Sequence, residues 1–444
     1  MGTLRAAAVV VPIPTRSDWD PASGLPPGQE ADLRASALVL DAGERLCFVS
    51  CDTLIIPADV LESAEEQIAR ETVLPVANLL ICATHTHHAP GTIDILGCRR
   101  DAEFCRRLQA AIVQAVLQAC HALDSARPGD AEAELLFAES QEATVGSNSR
   151  YLLKDGTIAW YAYPWDQVVR PTGPFDPDLP VLAFRRRSGG LAGLLFSHSV
   201  HNIGTLTKGS LSPGFYGLAA QELERRHGAV TLFLPGAFGS SHNTGEFGST
   251  PNLHAVSPAE CVHRVVGAVE QGLQWGEPAS VASLRVLKRP LVYHMREFDE
   301  AQEEAAVRYW SETYTPADPG IHQRIFRVMR AEMAPLQGHE RQTWLQVIRL
   351  GRVALVGVPG ELFAHLGLEI RRRSPFRHTY VIGLANGTIG YIGDREAYGL
   401  GGYQLWAGLH SPSAPGTGEA LVEQALAMLR EVHAEGAPPA RGAS

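Results

Sequence analysis

Short apolar blocks alternate along this chain with longer stretches in which apolar residues recur every three or four positions. The first pattern marks buried strands and the second marks helices with one face turned inward. "RLCFVSCDTLII" (45–56) reads as a strand ending near Asp52. "PADVLESAEEQIARETVL" (57–74) opens on a proline and carries a helical stripe. "NLLICATHTH" (78–87) is a second strand running into a loop, and "DAEFCRRLQAAIVQAVLQACHAL" (101–123) is a strong helix. The order strand, helix, strand, helix predicts an α/β layered architecture.

The pattern returns downstream. Strands are expected at 191–204 and 229–239, with helices at 214–228 and 256–273. Residues 297–337 are charged and helical, as in a surface layer. The stretch 347–374 reads strand, tight turn, helix, and 418–434 forms a closing helix. With no repeat and no low-complexity linker, the expectation is one domain over 1–436 and a disordered tail at 437–444. The predicted fold is a mixed, largely parallel sheet layered with helices, its functional residues at the carboxyl ends of strands, where ligands of open α/β sheets bind.

Composition narrows the function. The chain has 444 residues, 45% of them hydrophobic and 19% charged, with a formal net charge of −10. That charge argues against nucleic acid and anionic membrane surfaces as partners. The apolar run near the N-terminus is broken by Pro12 and Pro14 and does not read as a signal peptide. No segment is apolar for long enough to span a bilayer, so no stable membrane anchoring is expected. The seven cysteines show no close pairing and read as free thiols of a reducing compartment, hence a cytoplasmic protein.

Candidate chemistry sits at the predicted strand ends. "ICATHTHHAPG" places His85, His87 and His88 within four positions. "SHSVH" carries His198 and His201, which alternation along a strand would turn to opposite faces, leaving one as a ligand. Glu361 lies in "VPGE" and Tyr391 in "NGTIGYIGD". Zinc favours imidazole and carboxylate donors with one position open to water. Each residue also has an ordinary reading: a hydrogen-bonded histidine, a carboxylate at a helix start, a packed tyrosine.

Taken together and in order, these motifs resemble the catalytic domain of the neutral/alkaline (non-lysosomal) ceramidase family. The block 51–91 resembles its T-H-T-H-S-G-P-G motif, 150–186 resembles its next block, and "SVHNIG" stands where the family has V-H-P-T. "GVPGELFAHLGLEIRRRSPF" and "GLANGTIGYIGDREAYGLGGYQ" (383–404) resemble its P-G-E and Asn…Tyr…Tyr-Glu blocks. The resemblance implies one zinc held by His85, His201, Glu361 and Tyr391. It implies catalytic roles for His87 and Tyr391, and places His88, Ser240, Ser241 and Asn386 beside the substrate. The resemblance runs almost to the chain end, so no counterpart of the family's C-terminal immunoglobulin-like domain is expected.

Two departures stand out. The family's catalytic serine lies in a G-D-V-S-P-N loop; here the loop is "GSSHN" (239–243), with His242 at the serine position. Gly236 and Gly239 would let this loop approach the metal closely. His88 replaces the serine of T-H-T-H-S, and the acidic residue of the S-x-D segment is missing from "LSPGFYG" (211–217). The expectation is a zinc-dependent hydrolase of an amide, acting on a small or lipid-like N-acyl substrate, with soluble compounds favoured over ceramide in bilayers. His87 or His242 would move protons. Alternatives are an inactive ligand-binding relative and a metal-dependent esterase or dinuclear hydrolase. A homo-oligomer is compatible with the sequence.

Overall fold

The structure is a computed structural model that describes residues 3–16, 24–127, 129–161, 163–243 and 256–435. The tail 437–444 lies outside the described residues. Three sheets share one apolar core. The first orders its strands Arg5–Pro12, Arg34–Asp41, Arg45–Cys51, Leu79–Ala83. The second runs Thr231–Pro235, Leu191–His198, Asp178–Arg186, Ala133–Gln141, Glu277–Ala279. The third runs Leu284–His294, Glu340–Leu350, Val353–Gly357, His378–Ile382. Phe48 and Leu80 of the first sheet, Phe184 and Leu195 of the second, and Ile348 and Leu355 of the third meet in a single buried cluster.

Helices cover the outer faces, so each sheet is buried on both sides. Ala58–Glu71 and Ala102–Ser125 pack on the first sheet, Gly214–His227 and Pro258–Trp275 on the second, Ala364–Arg373 and Thr417–Glu435 on the third. Their ends follow ordinary capping chemistry. Asp101 accepts the Phe104 N–H at the start of one, and Ser257 accepts the Glu260 N–H at the start of another.

The expected α/β layering is present, but the largely parallel single sheet is not. Among the described residues there are three main sheets, each with one parallel pair and otherwise antiparallel pairing, and three two-stranded ladders. Antiparallel partners far apart in sequence leave no local signature. The "broken" N-terminal run is one example: Arg5–Pro12 pairs antiparallel with Arg34–Asp41.

The three parallel pairs end in register at Cys51↔Ala83, His198↔Pro235 and Gly357↔Ile382. The loops that follow carry His85, His201, His242 and Glu361. The stretch 297–337 is also more than a surface layer. Helices Glu300–Tyr314 and Pro319–Met333 pack on each other, and Trp310, Phe326 and Met329 join a cluster with Tyr391, Tyr403 and Trp406. Among the described residues the seven cysteines form no disulfide, and only Cys98 is not buried. No helix among the described residues is long and apolar enough to cross a membrane.

Candidate metal centre

His85 leaves the strand Leu79–Ala83 with a left-handed backbone, φ 59°. That conformation costs a residue with a side chain about 1–3 kcal/mol and persists only where surroundings enforce it. Here Thr84 is tied on both sides: its N–H donates to Cys51 O at 2.8 Å, and its hydroxyl donates to Asp52 at 3.2 Å. Burial pushes the Asp52 carboxyl up to about 7. His85 Nδ1–H then donates to Leu54 O at 2.9 Å, which leaves the Nε2 lone pair facing inward.

His201 is built the same way. It lies three residues past the strand Leu191–His198, is 0% exposed, and donates from Nδ1 to Ser241 O at 2.8 Å. His198 turns elsewhere, bonded to Tyr216 Oη at 2.6 Å and to Glu142 O at 2.9 Å. Only one of this pair enters the cluster, as expected, though the chain's turn past the strand end separates them rather than strand alternation. Glu361 and Tyr391 are direct register partners in a two-residue parallel ladder. Gly239 presses against that ladder: its N–H donates to Leu362 O at 2.9 Å, and a Cβ there would lie 2.1 Å from Glu361 O. The close approach that its glycine permits is therefore to the Glu361 strand.

The side chains converge. Glu361 Oε2 lies 3.2 Å from His201 Nε2 and 3.5 Å from His85 Nε2. Tyr391 Oη lies 3.2 Å from His201 Nε2. Donor atoms bound at 2.0–2.1 Å to one tetrahedral ion stand about 3.4 Å apart, so these edges match a shared ion. Glu361 Oε2 is buried and has no hydrogen-bond partner, a state that is costly without a cation. Both histidines have their outer nitrogen fixed on a backbone carbonyl, the usual support of a metal-bound imidazole. These residues fit a metal ion. A group of His85, His87 and His201, with ligand atoms within 4.8 Å of one another, could also hold one.

Protonation states agree with this. Burial pushes His85 down to about 4. Burial pushes Glu361 up, but neighbouring His85 and His201 outweigh it and leave the carboxyl below its usual range. Near neutral pH the His85 imidazole is neutral and the Glu361 carboxylate anionic, the forms that ligate metals. Burial raises the Tyr391 phenol well above its ordinary value, with Glu361 adding to the shift.

His85, Glu361 and Tyr391 line a cavity of about 320 Å³. His87 is exposed into it; the crowding protein and then the other histidines push its pKa well down. His242 also reaches the cavity, its ring centroid 4.2 Å from that of His201 and its Nε2 2.8 Å from Tyr403 Oη. Tyr403 Oη stands 3.5 Å from Tyr391 Oη. Tyr403, His410 and Trp160 were not singled out from the sequence, yet all three line the cavity. Tyr403 had a signal, since it stands in the block 383–404 as Tyr-Gln where the family has Tyr-Glu.

Four expected substrate-side residues are placed elsewhere. His88 Nε2 accepts the Gly204 N–H at 2.7 Å. Ser240 Oγ accepts the Ala364 N–H at 3.0 Å, at the start of a helix without a cap of its own. Ser241 Oγ is buried with no partner. Asn386 adopts φ 57°, accepts the Ile81 N–H at 3.0 Å and donates to Gln346 at 2.9 Å. It braces the strand that leads to His85. Asn386→Ala should therefore lower stability by about 1–3 kcal/mol, the cost of an orphaned buried donor, read as a denaturant midpoint. A change confined to KM would contradict the bracing role.

No family model matches the sequence, and no curated protein matches it either. Solved structures do. The crystal structure of neutral ceramidase from Pseudomonas aeruginosa superposes with a TM-score of 0.71 at 17% identity, over 98% of this chain and 75% of that chain. This chain has the neutral ceramidase fold. A ceramidase complexed with C2 gives a TM-score of 0.70 at 18% identity, over 98% of this chain and 76% of that one. The ceramidase likeness is one of fold; at this identity the chemistry must come from the residues themselves.

Proposed function

We propose that the protein is a zinc-dependent amide hydrolase, a divergent relative of the neutral ceramidases, cytoplasmic and acting on an N-acyl substrate. The observation that carries this is the buried, partnerless Glu361 Oε2 between two Nε2 atoms whose rings are oriented by backbone carbonyls. His85, His201, Glu361 and Tyr391 would hold the ion, with His87 at its edge. Bound zinc supplies a water acidified toward pH 7 and a polarised carbonyl. The cavity is lined by residues from Leu54 to His410, which supports one catalytic domain over most of the chain.

The protein's own groups then handle protons. His242 Nε2 and Tyr403 Oη are hydrogen-bonded, and Tyr403 neighbours Tyr391, so an imidazole and two phenols form a path along one wall. Burial keeps His242 well below its ordinary pKa, so it is a neutral acceptor. The second reading, a ligand-binding protein without turnover, draws on one observation: neither loop serine lines the cavity. Turnover of soluble N-acyl anilides separates the two. The hydrolase reading expects release of the amine, its loss with a chelator and its return with zinc. Metal retention with no turnover on any N-acyl compound would favour the binding protein.

A further inference from the structure

The wall facing the metal cluster bears on which amides can enter. Leu54, Ile95, Leu96, Ile203 and Trp160 make it apolar. Among the described lining residues the one carboxylate is Glu361, which faces His85 and His201, and no lysine or arginine lines the space. Arg150, the buried cation nearby, is committed to Gln404 Oε1 and to the carbonyls of Ala397 and Gly401. A charged group at the far end of the substrate, away from the metal, would find no counter-ion among the described lining residues and would lose its hydration. The volume of about 320 Å³ is also small, at the foot of the ~300–1,000 Å³ range of small-molecule sites.

Trp160 is the fixed part of this wall. Its ring stacks on Tyr403 with centroids 4.4 Å apart and planes at 14°. Behind it, Trp310 and Tyr161 pack edge-on or tilted at 5.0 Å, and His322 stands at 5.4 Å. Trp310 is itself fully buried on the helix Glu300–Tyr314. An indole held by four rings cannot swing aside without breaking several aromatic contacts at once. It also holds Tyr403 flat, and Tyr403 bonds His242, so one residue bounds the space and steadies the proton path.

We propose that the cavity takes the acyl half of a small, uncharged amide, and that Trp160 is the specificity-determining residue that limits acyl length. The proposal rests on the amide-hydrolase reading for what the ligand is, but its test reads binding alone. Straight-chain primary amides, from propanamide to decanamide, are titrated by calorimetry into the purified wild-type protein, Trp160→Ala and Trp160→Phe. In the wild type, affinity rises about fourfold per added CH₂ and then breaks at a short chain. Succinamic acid, which ends in a carboxylate, binds at least tenfold more weakly than butanamide. Trp160→Ala moves the break to longer chains. Trp160→Phe keeps a stacked ring, so it folds if the alanine variant does not, and moves the break less. Affinity that climbs unbroken to decanamide in the wild type overturns the proposal, as does a break that stays in place in Trp160→Phe. If the binding series comes out as expected and no amide is turned over, the length limit stands and the hydrolase reading falls.

Discussion

Glu361→Gln is expected to lose its metal and, with it, hydrolysis. The substitution keeps shape and volume, so it isolates the charge. Changes in groups that merely support a metal ligand cost about 10–100-fold in affinity; loss of an anionic ligand should exceed the upper figure. Stability of the metal-free protein should change little or rise, because a buried carboxylate with an unpartnered oxygen is replaced by a neutral amide. A carboxylate at a helix start predicts otherwise: full metal, and a loss of about 0.3–1 kcal/mol from the helix dipole. The geometry already leans against that reading. The helix begins at Ala364, whose N–H is taken by Ser240, while the Glu361 carboxylate faces two histidines. Metal content and a thermal melt of one purified variant decide between them.

His242→Ala is expected to lower kcat by about 10²–10⁴-fold, the usual cost of removing a group that moves a proton in the rate-limiting step, while metal is retained. Ser240→Ala should behave differently. Its hydroxyl accepts a buried helix N–H, so the variant loses stability, about 1–3 kcal/mol, with near-normal turnover per folded molecule. Ser241→Ala removes a hydroxyl that has no partner and should be close to neutral. Tyr403→Phe is a useful companion. It breaks the 2.8 Å bond to His242 Nε2 while keeping the stack on Trp160, and should reproduce part of the His242→Ala defect. If Ser241→Ala were inactive and His242→Ala active, a serine would carry the chemistry and the proton path described here would be wrong.

Most helices and the strands that feed the site were legible because their signals are local. A 3.6-residue stripe and an opening proline need no knowledge of the rest of the chain. Sheet order was not legible, since pairing of Arg5–Pro12 with Arg34–Asp41 or of Leu284–His294 with Glu340–Leu350 depends on tertiary packing. The site divides in the same way. His85, His201 and Glu361 were singled out because they end apolar runs and match the family's motifs, and the structure brings their side chains together. His88 looked equivalent to its neighbours, but a left-handed turn at His85 sends successive rings apart, and His88 ends on Gly204. Asn386 was expected beside the substrate from the resemblance, whereas the structure gives it a left-handed backbone and a clamp on Ile81. Trp160 was not singled out, because a tryptophan in the aromatic run "TIAWYAYPW" (157–165) reads as packing until a cavity is seen beside it.

The central claim is that His85, His201, Glu361 and Tyr391 surround one ion, and elemental analysis of the purified protein tests it most directly. The account predicts about one zinc per chain in the wild type, as for a mononuclear catalytic site, and loss of that zinc in His201→Ala at unchanged fold by circular dichroism. Full zinc in a folded His201→Ala protein would contradict it.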